Sequence, residues 1–151
     1  QNGIYTCDLG GEGKQCVMKE REIKEIFLGT FDAIDNRLYF LAENLDNKIC
    51  VYYISLSSFR LSEVVCKDVS CYALGEKGIY YVSEDDGNVY YKTYQNSESI
   101  EKTAIENCSN SLLKYGNNGW LIQEQKSVSD GQIYAFNEVK GVSKILFKSN
   151  R

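Results

Sequence analysis

There is no histidine anywhere in the chain. Lacking an imidazole, it can build neither a Ser-His-Asp nor a Cys-His relay, nor a His-Glu-x-x-His metal site. The six cysteines are Cys7, Cys16, Cys50, Cys66, Cys71 and Cys108. An even number permits three disulfides, and the pairing is not readable from spacing alone. Cys7 and Cys16 form the candidate pair. They flank Leu9-Gly10-Gly11-Glu12-Gly13-Lys14, a turn expected to fold the chain back and set them opposite one another. Cys66 and Cys71 could close a second loop of that kind. The alternative is reduced, buried cysteine packing as a small hydrophobe. Without a Cys-x-x-Cys pair, zinc is not expected.

Glu84-Asp85-Asp86-Gly87-Asn88 offers oxygen ligands of the sort Ca²⁺ takes, with Asp85 and Asp86 the candidates. Hairpin-turn chemistry accounts for the same Asp-Gly-Asn, so neither a metal nor another cofactor is expected. The glycine-rich run before Lys14 looks superficially like a phosphate loop. It has Asp8 where the first glycine belongs, Gln15 where Ser or Thr belongs, and no helical pattern after it, so it reads as a turn. Asp32, Asp35, Glu43, Glu84 and Glu124 fall near strand ends. Paired carboxylates cleave glycosides, but nothing brings two of these together. Trp120, Tyr53 and Tyr91 are the candidate ligand-binding aromatics, able to stack on a sugar or anchor a protein partner; packing is the competing role. Asn107-Cys108-Ser109 is a glycosylation acceptor only if the chain is eukaryotic and secreted.

The elements that must position these residues repeat. Residues 78–94 read as two strands rich in β-branched and aromatic residues, joined through Asp86-Gly87. The apolar cores Leu38-Tyr39-Phe40-Leu41, Ile79-Tyr80-Tyr81-Val82 and Trp120-Leu121-Ile122 begin 41 residues apart in each step. A second series is Ile4-Tyr5, Val51-Tyr52, Val89-Tyr90 and Ile133-Tyr134. A third is Ile26-Phe27, Val64-Val65, Ala104-Ile105 and Ile145-Leu146. Weaker strands follow at 31–34, 71–74 and 111–115. Four short strands per repeat of this length is the period of a propeller blade. The expected fold is therefore all-β: β-propeller-type repeats of four antiparallel strands, about three and a half blades. Blade remnants occupy 1–36, complete blades 37–77 and 78–118, and an incomplete blade 119–151. Open blade flanks of a few hundred Å² would each forfeit several kcal/mol at ~25 cal/mol per Å². The arc is thus expected to be part of a larger ring or to close as a homodimer.

Net charge is −4, and the densest basic run, Lys19-Glu20-Arg21-Glu22-Ile23-Lys24-Glu25, is neutralised by its own acids, which argues against nucleic-acid binding. No apolar run approaches the ~18 residues of a membrane span, so direct insertion is not expected. The chain lacks an initiator Met and a signal-peptide core, so it is expected to be either mature after processing or a piece cut from a longer polypeptide; its end directly after a strand favours the second expectation.

The Leu-Tyr-Phe, Ile-Tyr-Tyr-Val and Trp-Leu-Ile strands, each followed by a turn and an Ile/Val-Tyr strand, resemble the tyrosine-rich propeller repeats of the YWTD type. Gly78-Ile79-Tyr80-Tyr81 with Asp86-Gly87-Asn88-Val89-Tyr90 is similar to repeats of exported bacterial propeller proteins of unassigned function. No first strand carries a full Tyr-Trp-Thr-Asp tetrad, and the Trp-Asp and Gly-His marks of WD40 repeats are absent. The resemblance implies a ring of six to eight blades, a recognition role and no catalytic residues. The expected function is accordingly a non-enzymatic binding or scaffold module for protein–protein recognition. Carbohydrate binding or processing, with a glycan as partner, is the alternative. An extracellular or cell-surface location is expected, with a cytoplasmic one left open.

Overall fold

The computed structural model describes residues 3–19, 23–95, 98–103, 106, 108–115, 118–124, 131–137 and 142–148; side chains are described for residues 3–17, 23–95, 98–103 and 106. The fold is all-β, with antiparallel pairing throughout these residues. The chain divides into two compact units, Gln1–Lys67 and Asp68–Arg151.

The first unit opens with a hairpin, β1 (Gly3–Thr6) and β2 (Gln15–Lys19). Its turn is organised by Asp8, whose Oδ1 accepts the backbone N–H groups of Gly10 at 3.0 Å and Glu12 at 2.8 Å. A short acceptor in place of a helix N-terminus confirms the turn over the phosphate loop. The five-stranded sheet that follows contains β3 (Ile23–Ile26), β4 (Asp32–Ile34), β5 (Arg37–Asn44), β6 (Ile49–Ser55) and β7 (Cys66–Lys67). β3 and β4 share one edge of β5, at opposite ends, interrupted by a single 3-10 turn at Leu28–Thr30. The Thr30 hydroxyl bridges the gap, donating to the Phe27 carbonyl at 2.7 Å and accepting the Leu41 N–H at 2.9 Å. That gives the Leu41 N–H a partner where no strand faces it. Strand alternation sends Phe40, Ala42, Cys50, Tyr52 and Ile54 to one face, where Ile4 and Val17 of the hairpin pack against them.

The second unit holds two four-stranded meanders. One runs β8 (Val69–Leu74), β9 (Gly78–Ser83), β10 (Val89–Thr93) and β11 (Ile100–Lys102) in sequence order; the other runs β12 (Cys108–Tyr115), β13 (Asn118–Glu124), β14 (Gly131–Asn137) and β15 (Val142–Lys148). β12 runs close to β8 and β9. Ile79, Val82, Val89, Val69 and Leu74 are almost fully buried and form the centre of the first meander.

The pairing corrects four expectations. The 41-residue period gives the repeat length but not where one sheet stops. β8 pairs with β9 and β12 with β13, so segments 71–74 and 111–115, expected to close the modules 37–77 and 78–118, instead open the sheets that follow. The tight connection after Leu74, closed by the Gly75 N–H on the Gly78 carbonyl at 2.8 Å, decides this. β3, which carries Ile26 and is expected as a third strand of the remnant 1–36, likewise pairs with β5 and forms an edge of the sheet that follows. In the expected strand around Val64-Val65, only Cys66 and Lys67 pair as a strand, although the Val65 N–H does reach the Val51 carbonyl at 2.9 Å. Ala104-Ile105 lies outside the described residues. β2 falls where no strand was expected, in the stretch after the glycine-rich turn.

Candidate functional site

The most distinctive side-chain cluster sits where β4 turns into β5. Asp35 and Asn36 both take positive φ, 47° and 60°, and Ile34 pairs with Arg37 across them. Two successive left-handed residues make the turn whose twist matches its strands, and Asp and Asn tolerate it best among residues with a side chain. Arg37 thereby becomes the first residue of β5, opposite Ser55 of β6, while Tyr39 lies opposite Tyr53. Alternation puts all four on one face.

There the Arg37 guanidinium lies over the Tyr53 ring, 4.7 Å from its centroid, and Arg37 Nη1 donates to Tyr39 Oη at 3.4 Å. The two tyrosine rings are 5.2 Å apart and tilted by 50°. Tyr39 is buried; burial pushes its phenol above the usual value, so it is neutral at physiological pH. The hydrogen bond to Tyr39 raises Arg37 further above an already high value, with Asp35 adding to the effect from beyond ion-pair distance. Arg37 is thus a permanent cation whose side chain is partly exposed. No carboxylate among the described residues stands within ion-pair reach of it, in contrast to Lys24 with Glu43 at 2.8 Å. Its fork has five N–H donors, and Tyr39 takes one.

The loop at the end of β6 adjoins this cluster. The Leu56 N–H bonds the Asn36 carbonyl at 2.9 Å, which ties residues 55–60 to the turn before Arg37. Within the loop the Phe59 N–H reaches the Ser55 carbonyl at 2.8 Å and the Ser55 N–H the Arg60 carbonyl at 3.1 Å. Ser55 Oγ and Ser57 Oγ are 3.0 Å apart. Phe59 has φ of 52°, a conformation that costs a bulky residue of order 1–3 kcal/mol. Leu56, Phe59 and Arg60 are exposed. Cation, hydroxyls and apolar side chains are therefore gathered at one sheet end.

No protein-family model matches this chain, and no curated protein matches it either.

The sequence candidates fall in different places. Tyr53 belongs to the cluster, but as the platform beneath Arg37, so one face of its ring is already taken. Tyr91 packs on Tyr80 with centroids 4.6 Å apart and lies over Gly78, which makes it a packing residue. Trp120 stands on β13 opposite Leu113 and Ala135. Asp86 is engaged within its own turn: Oδ1 accepts the Asn88 N–H at 2.9 Å, and Oδ2 accepts Asn88 Nδ2 at 2.9 Å and Tyr90 Oη at 2.8 Å. These bonds, the Asn88 backbone first, hold its carboxyl below the usual range. The Asp85 N–H meanwhile bonds Ser83 Oγ at 3.2 Å. Among the described residues no three His, Cys, Asp or Glu side chains cluster closely enough to hold a metal ion.

Cys7 and Cys16 do not share a disulfide; both are exposed thiols. The hairpin expected between them does form, but Tyr5 and not Cys7 stands opposite Cys16, because a register shift and a wide turn offset the two arms. Cys66 and Cys71 are thiols too, buried and half-buried, on strands of different sheets. Asn107 lies outside the described residues. Arg37, which the sequence reading passed over, had one signal: in the aligned repeats its position is Gly78 in the next copy and Gly119 in the one after.

Proposed function

We propose that the repeated sheets are blades of a β-propeller and that the protein is a non-enzymatic module recognising other proteins through loops at the sheet ends. The observation that carries this is the recurrence of one strand pair with the same cross-strand aromatics, its first strand repeating 41 residues on. Phe40 opposes Tyr52 and Tyr81 opposes Tyr90, with ring planes inclined by 23° and 22°. Face-on packing of the β1–β2 hairpin against the first sheet supports the stacking. Tyr53 and Tyr91, two of the three aromatics that could have platformed a sugar, are occupied by Arg37 and by Tyr80 with Gly78. That favours a protein partner over a glycan.

The test is a titration of Tyr and Trp fluorescence with the saccharides of a glycan array, run beside an array of folded proteins. Binding confined to proteins is the expected result. Quenching by saccharides would overturn the reading and assign the module to carbohydrate recognition.

A further inference from the structure

We infer that the Arg37 end of the first sheet is a docking site for an acidic residue flanked by apolar ones on a partner protein. The carboxylate would take the Arg37 fork and the flanking side chains would lie on the loop that carries Leu56 and Phe59. This rests on the protein-recognition reading above and names the partner chemistry of one sheet end.

Three independent observations converge. The first is charge. The Tyr53 ring covers one face of the Arg37 guanidinium and takes part of its hydration, which leaves its edge donors as the groups a partner can reach. Arg37 has an aromatic face and a phenol, and no carboxylate within ion-pair reach among the described residues. Stacking on Tyr53 holds the guanidinium in one plane, so its remaining donors are pre-oriented for a planar, two-oxygen acceptor. A carboxylate supplies that complement. A sugar hydroxyl does not, and the Tyr53 face a sugar ring would use is covered.

The second is the surface beside it. Leu56 and Phe59 are 38 % and 41 % exposed, and Phe59 is held in a left-handed conformation that the Ser55 and Arg60 backbone bonds enforce. A strained, exposed aromatic is costly to keep unless something uses it. Arg60 adds a second exposed cation in the same loop. The third is the comparison among repeats. At the position of Arg37 the other two copies have Gly78 and Gly119, so the arginine is a departure from a pattern that folds without it.

The experiment is an NMR titration of the whole chain with two blocked peptides, Ac-Leu-Glu-Phe-NH2 and Ac-Leu-Gln-Phe-NH2. It follows the Arg37 Nε–H and the backbone amides of residues 55–60. The Glu peptide should move both sets saturably, and the Gln peptide should bind about tenfold more weakly, as expected for loss of one charge-assisted pair. Arg37→Gly should erase the difference between the peptides. Arg37→Lys, which keeps the charge and loses the fork, should retain only a fraction of it. If Arg37→Gly does not fold, the peptide pair and Arg37→Lys carry the test. Equal response to both peptides, or an unmoved Arg37 Nε–H, overturns the assignment of Arg37 alone. A response to saccharides in place of peptides overturns the recognition reading beneath it.

Discussion

Two strand pairs of this molecule are built to one plan and finished differently. In the first sheet, β5 and β6 oppose Tyr39 to Tyr53 and Phe40 to Tyr52; in the second unit, β9 and β10 oppose Tyr80 to Tyr91 and Tyr81 to Tyr90. The residue before each apolar core differs. Gly78 lets the Tyr91 ring lie down on the backbone: a Cβ there would come within 2.7 Å of Tyr91 Cε2 and would also meet the Lys92 carbonyl. Arg37 instead lays its guanidinium on the Tyr53 ring. One copy spends the position on closing its own surface. The other leaves a cation at the sheet end. The aromatic pairs are what the fold requires of this repeat, and the residue ahead of them is where the copies are at liberty to diverge.

The largest effect should come from the shared part. Phe40 is fully buried between Phe31, with centroids 5.4 Å apart, and Tyr52. Phe40→Ala should cost about 3–5 kcal/mol in urea unfolding, through lost burial and the cavity left behind. A loss below 1 kcal/mol would show that the aromatic pairs are not what holds the strand pair together.

Gly78→Ala comes next. The obstruction is partly backbone, which cannot rotate away, so the change should cost roughly 1–3 kcal/mol by overpacking. Its midpoint in urea should fall without a change in slope. Arg37→Ala, the matching change in the first sheet, removes one stacked cation and should cost only about 0.5–1 kcal/mol. If the two substitutions cost the same, the contrast between a packing residue and an exposed cation is wrong.

That contrast explains how much could be read from the chain. The spacing of Leu38, Ile79 and Trp120 and the alternation around them were enough for antiparallel all-β sheets, since side-chain period and turn chemistry are local properties. Phase was not legible. Leu74 and Leu38 look alike in sequence, and only the close pairing of Leu74 with Ile79 shows that β8 opens a sheet. Tyr53 lies in the Arg37 cluster as the platform beneath the cation: an aromatic at a strand end is visible in sequence, but the arginine covering it depends on a cross-strand register. The Cys7 and Cys16 pairing failed on register as well. Arg37 itself was hidden because a charged residue after Asp-Asn reads as an ordinary turn flank. Only the aligned Gly78 and Gly119 mark it as unusual.

The two hairpin tips offer the smallest and most selective test. At the β5–β6 tip the Asn44 side-chain oxygen accepts the Asp46 and Lys48 N–H groups at 3.0 and 2.9 Å, and Asn47 takes φ of 57°. At the β9–β10 tip Asp86 does the corresponding work with a carboxylate, and Gly87 takes φ of 68°. An amide does not titrate in the accessible range; a carboxylate does. Because the folded Asp86 carboxyl sits below its unfolded value, its contribution is complete above the usual carboxylate range and is lost as pH falls through the depressed value. The bond from Tyr90 raises that phenol, so the same contact is complete below the ordinary tyrosine range and fades as pH climbs through the raised value. Amide exchange at Gly87 and Asn88 should therefore quicken at both pH extremes relative to Asn47 and Lys48, after correction for intrinsic rates. Asp86→Asn should remove the acid limb while keeping the turn. A tip that opens in acid with Asn at position 86 would mean the pH response comes from elsewhere in the second unit.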